Sequence, residues 1–195
     1  DSNLNVPLTY EVATDVSFTA LVKSGPCFTS QETGFTTKVD VTGLSAGTTY
    51  YYRFVDNTRT VSPVGVTRTL PKSDVSSVKF AVFSCSLYSQ GFFNAYAAAA
   101  QSDAQYAIHL GDYIYEYSSN STSYGNADAV TLGRVTAPAN EIVSLEDYRT
   151  RYATYRSDAS LQALHAKMPL IAIWDDHEFA NNAYAVSYTH LTLPT

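Results

Sequence analysis

The stretch A-I-H-L-G-D-Y-I-Y-E-Y, residues 107–117, sets the tightest limit on how this chain folds. Ala107, Ile108 and Leu110 form an apolar run suited to a buried strand, and Gly111 stops that strand while letting backbone pass close to a neighbouring group. Asp112 then falls at the strand's carboxyl end, the rim where open α/β sheets gather their ligands, with the phenol of Tyr115 three residues on. A carboxylate and a phenol at that spacing can face one cation. Taken alone, the same residues also read as a turn aspartate beside core tyrosines, because Gly-Asp is a common turn dipeptide.

The first third of the chain follows a different rhythm. Short β runs are expected at 8–12, 18–22, 35–41, 49–55 and 61–69, separated by Ser24-Gly25-Pro26, by Gly43 with Ser45-Ala46-Gly47, and by Asp56-Asn57. That spacing suits an all-β sandwich. Val39 and Val41 share a face with Thr37, while Lys38, Asp40 and Thr42 share the other, the period of a half-buried strand. The segment V-T-G-L-S-A-G-T-T-Y-Y-Y-R-F, residues 41–54, resembles the end of a fibronectin type III domain, where a leucine turn precedes a strand whose tyrosine packs a corner of the sandwich. About five strands are visible where that fold has seven, so its first strands are expected to be missing. Cys27 follows the Gly25-Pro26 turn with no His, Asp or Glu at ligand spacing, and reads as a structural thiol.

Pro71-Lys72-Ser73-Asp74 has linker composition, and beyond it the pattern becomes strand, helix, strand. Residues 79–85, K-F-A-V-F-S-C, form a compact apolar strand, and residues 91–101 carry apolar side chains at helical spacing in an alanine-rich setting. With the strand ending at Gly111 they make a βαβ unit, which places Cys85 and Asp112 at the ends of neighbouring parallel strands. Residues 118–139 are rich in Ser, Asn, Gly, Thr and Ala and read as a surface loop over that rim. Ser144 and Asp147 have capping-box spacing before a helix through Arg156, on which Tyr148, Tyr152 and Tyr155 share a face. A second helix is expected from Ala159 to Lys167, with Leu161 and Leu164 inward and Met168-Pro169 ending it. Residues 169–174, P-L-I-A-I-W, form a third buried strand, followed at once by Asp175-Asp176-His177-Glu178.

Each of the three strands thus ends in donors: Cys85, then Asp112 with Tyr115, then Asp175, Asp176 and His177. Adjacent carboxylates directly behind an apolar strand repel, and when partly buried they need a cation or a strong hydrogen-bond shell. Phenolate and thiolate suit Fe3+ better than zinc, and a nearby carboxylate set suits a second, harder divalent ion. Two ions bridged by Asp112 are the kind of pair that promotes in-line displacement at phosphorus. His109 reads as a packing or hydrogen-bonding residue beside the strand. Composition narrows the partners: net charge is −6 with scattered Lys and Arg, so the basic stripe of a nucleic-acid binder is missing. No apolar run reaches bilayer length, residues 1–5 lack a signal-peptide pattern, and the two cysteines fall in different domains, against a disulfide framework.

F-S-C, H-L-G-D-Y-I-Y-E-Y, S-L-E-D-Y-R-T-R-Y-A-T-Y-R-S-D and I-W-D-D-H-E-F-A-N-N, in that order behind a tyrosine-rich β domain, resemble the PhoD-type alkaline phosphatases. That family belongs to the calcineurin-like metallophosphoesterases. The resemblance implies an exported enzyme that hydrolyses phosphomonoesters and phosphodiesters with Fe3+ and Ca2+. It implies that Cys85 and Tyr115 bind the ferric ion, that Asp112 bridges it to calcium, and that Asp176, with Asp175, serves the second metal. His177 is implied to face the phosphate or the leaving group. Members of the family are far longer, and the segment 185–195 does not resemble them, so it reads as a non-native tail and its His190 is not counted as a ligand.

The expected organisation is a partial fibronectin type III-like β-sandwich at 1–71, a linker at 72–78, the front half of an α/β metallophosphoesterase domain at 79–184, and the tail. Such a piece is expected to be inactive in isolation. A non-enzymatic fragment that binds a partner through its β domain is the alternative, and stoichiometric iron separates the two.

Overall fold

The computed structural model describes residues 5–73 and 75–183. The expected tail with His190 lies outside the described residues, as does the last residue assigned to the phosphoesterase segment, Tyr184. The chain divides into two compact units, one formed by the residues up to Lys79 with His165–Pro169, the other by Phe80–Leu164 and the chain from Leu170 onward.

The first unit carries an antiparallel sheet of β1 (Val6–Ala13), β2 (Leu21–Thr29), β3 (Thr49–Asp56) and β4 (Gly65–Arg68), in the order β2-β1-β3-β4. Glu11 of β1 faces Arg53 of β3 and pairs with it at 2.7 Å, while the Arg53 guanidinium lies 4.1 Å from the Phe18 ring centroid. Tyr50 is buried, and its phenolic oxygen accepts the Ser45 N–H at 2.9 Å, tying β3 back to the turn that precedes it.

Three expectations fail here, each for a local reason. Gly25 and Pro26 do not turn; they lie inside β2, opposite Tyr10 and Thr9. A proline is tolerated because, among the described residues, β2 is the edge strand of its sheet, and the Tyr10 ring fills the space above Gly25, 2.9 Å from where a Cβ would stand. Cys27 is therefore a strand residue of intermediate burial. Residues 35–41 form no strand, because Gly34 and Phe35 are both left-handed (φ 62° and 55°) and the hydroxyls of Thr29 and Thr33 capture the Thr36 carbonyl. Of 61–69 only β4 is regular, apart from a single bridge from Val61 to Val55.

The second unit holds a parallel sheet of β5 (Phe80–Phe83), β6 (Tyr106–His109) and β7 (Leu170–Ala172), ordered β5-β6-β7. Between the strands run α1 (Asn94–Ala100), α2 (Leu145–Arg156) and α3 (Ala159–Lys167). Helix α2 starts where its sequence dictates: the Ser144 hydroxyl accepts the Asp147 N–H, and the Asp147 carboxylate returns a bond to the Ser144 N–H. Leu161 and Leu164 of α3 are each 1% exposed. Backbone pairing continues past the strand ends, from Leu110 N–H to Phe83 O at 2.8 Å and from Ser86 N–H to Asp112 O at 2.8 Å, so the donor-bearing loops are fastened to one another.

The long loop is more than a surface cover. Asn126, Ala129 and Arg134 are buried within it, and the Arg134 guanidinium bonds Asp158 at 2.6 Å while lying 3.6 Å from the Tyr88 ring centroid. Among the described residues no helix is long and apolar enough to cross a membrane.

Candidate metal centre

The backbone bends sharply after the first two strands. Cys85 follows β5 at φ 58° and Asp112 follows β6 at φ 55°, a region that L-residues avoid. Gly111 sits at φ 102°, and a Cβ there would stand 2.5 Å from the backbone nitrogen and Cβ of Asp175. Only glycine lets the loops after β6 and β7 come this close. The whole run from Gly111 to Glu116 is buried.

Asp112 is the hub. Its Oδ2 accepts the Cys85 thiol at 3.4 Å and the Tyr115 hydroxyl at 3.2 Å, while Oδ1 is buried without a hydrogen-bond partner. One donor atom from each of Asp112, Asp176 and His177 lies within 4.8 Å of the other two. Burial, then the neighbouring Asp112 and Cys85, pushes the Tyr115 phenol up from its ordinary value, so without a cation it keeps its proton and donates it to Asp112. A positive charge reverses that balance, which makes a buried carboxylate with one bare oxygen, a phenol and a thiol a fitting cradle for a cation.

Asp175 is not brought into this group. Its carboxylate accepts the N–H of Asp176 at 3.0 Å and caps the 3-10 turn Asp176–Glu178. His109 packs as its position suggests: its Nε2 meets the Tyr96 hydroxyl at 2.9 Å and Ser86 at 3.1 Å, and burial lowers its pKa to about 4.

Three charged side chains that the sequence reading left without a role complete the site. Glu116 is buried and holds His177 Nδ1 at 2.8 Å through Oε2, while its Oε1 accepts the Asn181 N–H at 2.7 Å. The His177 ring lies against Tyr115, with centroids 4.2 Å apart. Glu178 collects backbone N–H groups from both loops, Asp112 at 3.0 Å and Asp175 at 2.7 Å on Oε2, Tyr113 and Ile114 on Oε1. Arg151 of α2, 1% exposed, donates to the carbonyls of Tyr115 and Tyr117. Glu178 could have been suspected from the charged run that contains it. Arg151 left no trace, since an arginine on a mixed helix normally reads as solvated.

A family model described as PhoD-like phosphatase matches residues 80–193, and one described as the N-terminal domain of PhoD-like phosphatases matches residues 1–71. Alkaline phosphatase D of Bacillus subtilis (strain 168) is 40% identical over 181 residues, covering 91% of this chain and 30% of that protein. A solved structure of PhoD superposes with a TM-score of 0.82 at 40% identity, over 91% of this chain and 33% of the other. The chain therefore spans about a third of the length of these relatives.

Proposed function

The chain belongs to the PhoD-like phosphatase family, and from that premise we propose that it forms the front part of a metal-dependent phosphoesterase acting on phosphomonoesters and phosphodiesters. The observation that carries this reading is the convergence on Asp112, where a thiol and a phenol meet one carboxylate oxygen and the other oxygen is left buried and bare.

Cys85, Asp112 and Tyr115 would hold Fe3+, because anionic thiolate and phenolate donors stabilise high charge. Asp112 and Asp176 would hold Ca2+, and Asp175, whose Oδ1 accepts the Asp176 N–H, would join them through its other carboxylate oxygen. When bound, such ions supply Lewis-acid activation at phosphoryl oxygens and favour the attacking nucleophile. The remaining work falls to the protein. Glu116 accepts from His177 Nδ1, which fixes the ring and leaves Nε2 as the nitrogen available to a phosphoryl oxygen or to the leaving alcohol. Asp112 would contribute its carboxylate to both ions, and its own N–H is held by Glu178 at 3.0 Å.

Residues 1–71 are proposed as a fibronectin type III-like domain, supported by the antiparallel sheet and the bond from Ser45 N–H to Tyr50, residues 72–78 as a linker and 79–184 as the front of the phosphoesterase domain. Export is proposed on the family resemblance. Full turnover is proposed for a chain of the relatives' length.

The test is hydrolysis of p-nitrophenyl phosphate and bis(p-nitrophenyl) phosphate, with Fe3+ and Ca2+ supplied, by this chain and by one extended to the relatives' length. Turnover that falls by roughly 100-fold in His177→Ala supports the reading. Absence of hydrolysis in both chains, with iron bound, removes it in favour of a binding fragment.

A further inference from the structure

We infer that Arg151 is a positioning residue for the proposed metal centre, holding Tyr115 and the partner of His177 in place through their backbone. The inference rests on the metal reading above.

All five N–H donors of the buried Arg151 guanidinium go to main-chain carbonyls. Nε donates to Ala137 at 3.0 Å, Nη2 to Pro138 at 3.0 Å and Asn140 at 3.3 Å, and Nη1 to Tyr115 and to Tyr117 at 2.9 Å. Arg134, the other deeply buried arginine described, spends its charge on the carboxylate of Asp158 and ties helix to loop. Arg151 instead joins the end of the long loop to the two residues that flank Glu116. Tyr115 carries the phenol on Asp112, and Glu116 carries the bond to His177, so one guanidinium sets both.

The opposite end of the same segment is held by the opposite charge. Glu178 takes the N–H groups of Asp112, Tyr113 and Ile114, and Arg151 takes the carbonyls of Tyr115 and Tyr117. An anion at the N–H end and a cation at the carbonyl end satisfy the buried backbone without using the side chains of Asp112 or Tyr115. Those side chains are left to bond one another, already grouped before a cation arrives. A lysine cannot substitute, because its single ammonium cannot reach two segments about twenty residues apart with a planar fork.

The test uses this chain, with Arg151→Lys, Arg151→Met and Arg151→Ala. In the metal-free protein, NMR cross-relaxation between the Tyr115 and His177 rings, whose centroids are 4.2 Å apart, reports the placement directly. Fe3+ titration, followed by calorimetry and visible absorption, reports its consequence. Folded Arg151→Lys and Arg151→Met are expected to lose the ring contact and to bind Fe3+ about 10- to 100-fold more weakly, with millimolar guanidinium restoring both properties to Arg151→Ala. A folded Arg151→Lys that keeps the ring contact and the parent affinity overturns the inference. So does an Arg151→Ala chain that needs guanidinium to fold yet refolds without the ring contact. If the parent chain binds no iron, the metal reading fails by itself, and the ring contact alone decides the role of Arg151.

Discussion

Cys85 and Asp112 follow neighbouring parallel strands, two and three residues past the paired Phe83 and His109, both with left-handed backbone (φ 58° and 55°), and the thiol of one donates to the carboxylate of the other at 3.4 Å. A left-handed L-residue costs about 1–2 kcal/mol, so strain is concentrated where two donors have to face each other.

Cys85→Gly separates the strain from the chemistry. Glycine removes the left-handed penalty and raises the entropy of the unfolded chain by a similar amount, so metal-free stability is expected within about 1 kcal/mol of the parent. The extra stability that Fe3+ confers should vanish. Urea unfolding with and without Fe3+ reads both quantities.

Gly111→Ala is expected to be far worse than Gly133→Ala, although both glycines have positive φ (102° and 66°). A Cβ on Gly111 would meet the Asp175 backbone at 2.5 Å, whereas nothing lies within 4 Å of one on Gly133. Urea midpoints should show a loss of about 1 kcal/mol at Gly133 and of roughly 3 kcal/mol or more at Gly111.

His109 predicts an acid-sensitive fold. Its folded pKa is lowered to about 4 by burial, against an ordinary 6.5 when unfolded. Between those values the unfolded chain binds the extra proton, so stability present above pH 6.5 is lost as pH falls toward 4, by roughly 3 kcal/mol. The difference in urea stability between pH 7 and pH 4.5 should shrink in His109→Gln. An unchanged difference would assign the acid sensitivity to other groups.

How far the sequence foretold this arrangement depends on the kind of signal. The strand ends bearing Cys85, Asp112 and Asp176, the capping box at Ser144 and the limits of α3 were legible, because each is written in neighbouring residues. The path of β2 was not, since Gly25-Pro26 reads as a turn until the Tyr10 ring and the open sheet edge are known. Glu116 and Arg151 were illegible in role for a related reason, and of Glu178 only its capping-box spacing from Asp175 could be read. Their other partners are backbone groups or a ring up to 66 residues away, and no spacing encodes such contacts. Asp175 shows a second duty that its ligand-like position did not announce, one carboxylate oxygen capping the 3-10 turn Asp176–Glu178.

Asp158→Ala should be among the costliest polar substitutions. It leaves the Arg134 guanidinium buried and unpaired and removes the acceptor for the first N–H groups of α3, at Ser160 and Leu161. A loss of about 3–5 kcal/mol is expected from urea unfolding. The double substitution Arg134→Met with Asp158→Leu should recover part of it, because no unpaired charge then remains.

The most direct measurement is a titration of this chain with Fe3+, followed in the visible for a tyrosinate-to-iron absorption band. Saturation at one equivalent, with the band absent in Tyr115→Phe and saturable binding lost in Asp112→Asn, is the predicted result. A chain that takes up no stoichiometric iron, or a Tyr115→Phe variant that loads iron with the same colour, would contradict the convergence of these donors on one cation.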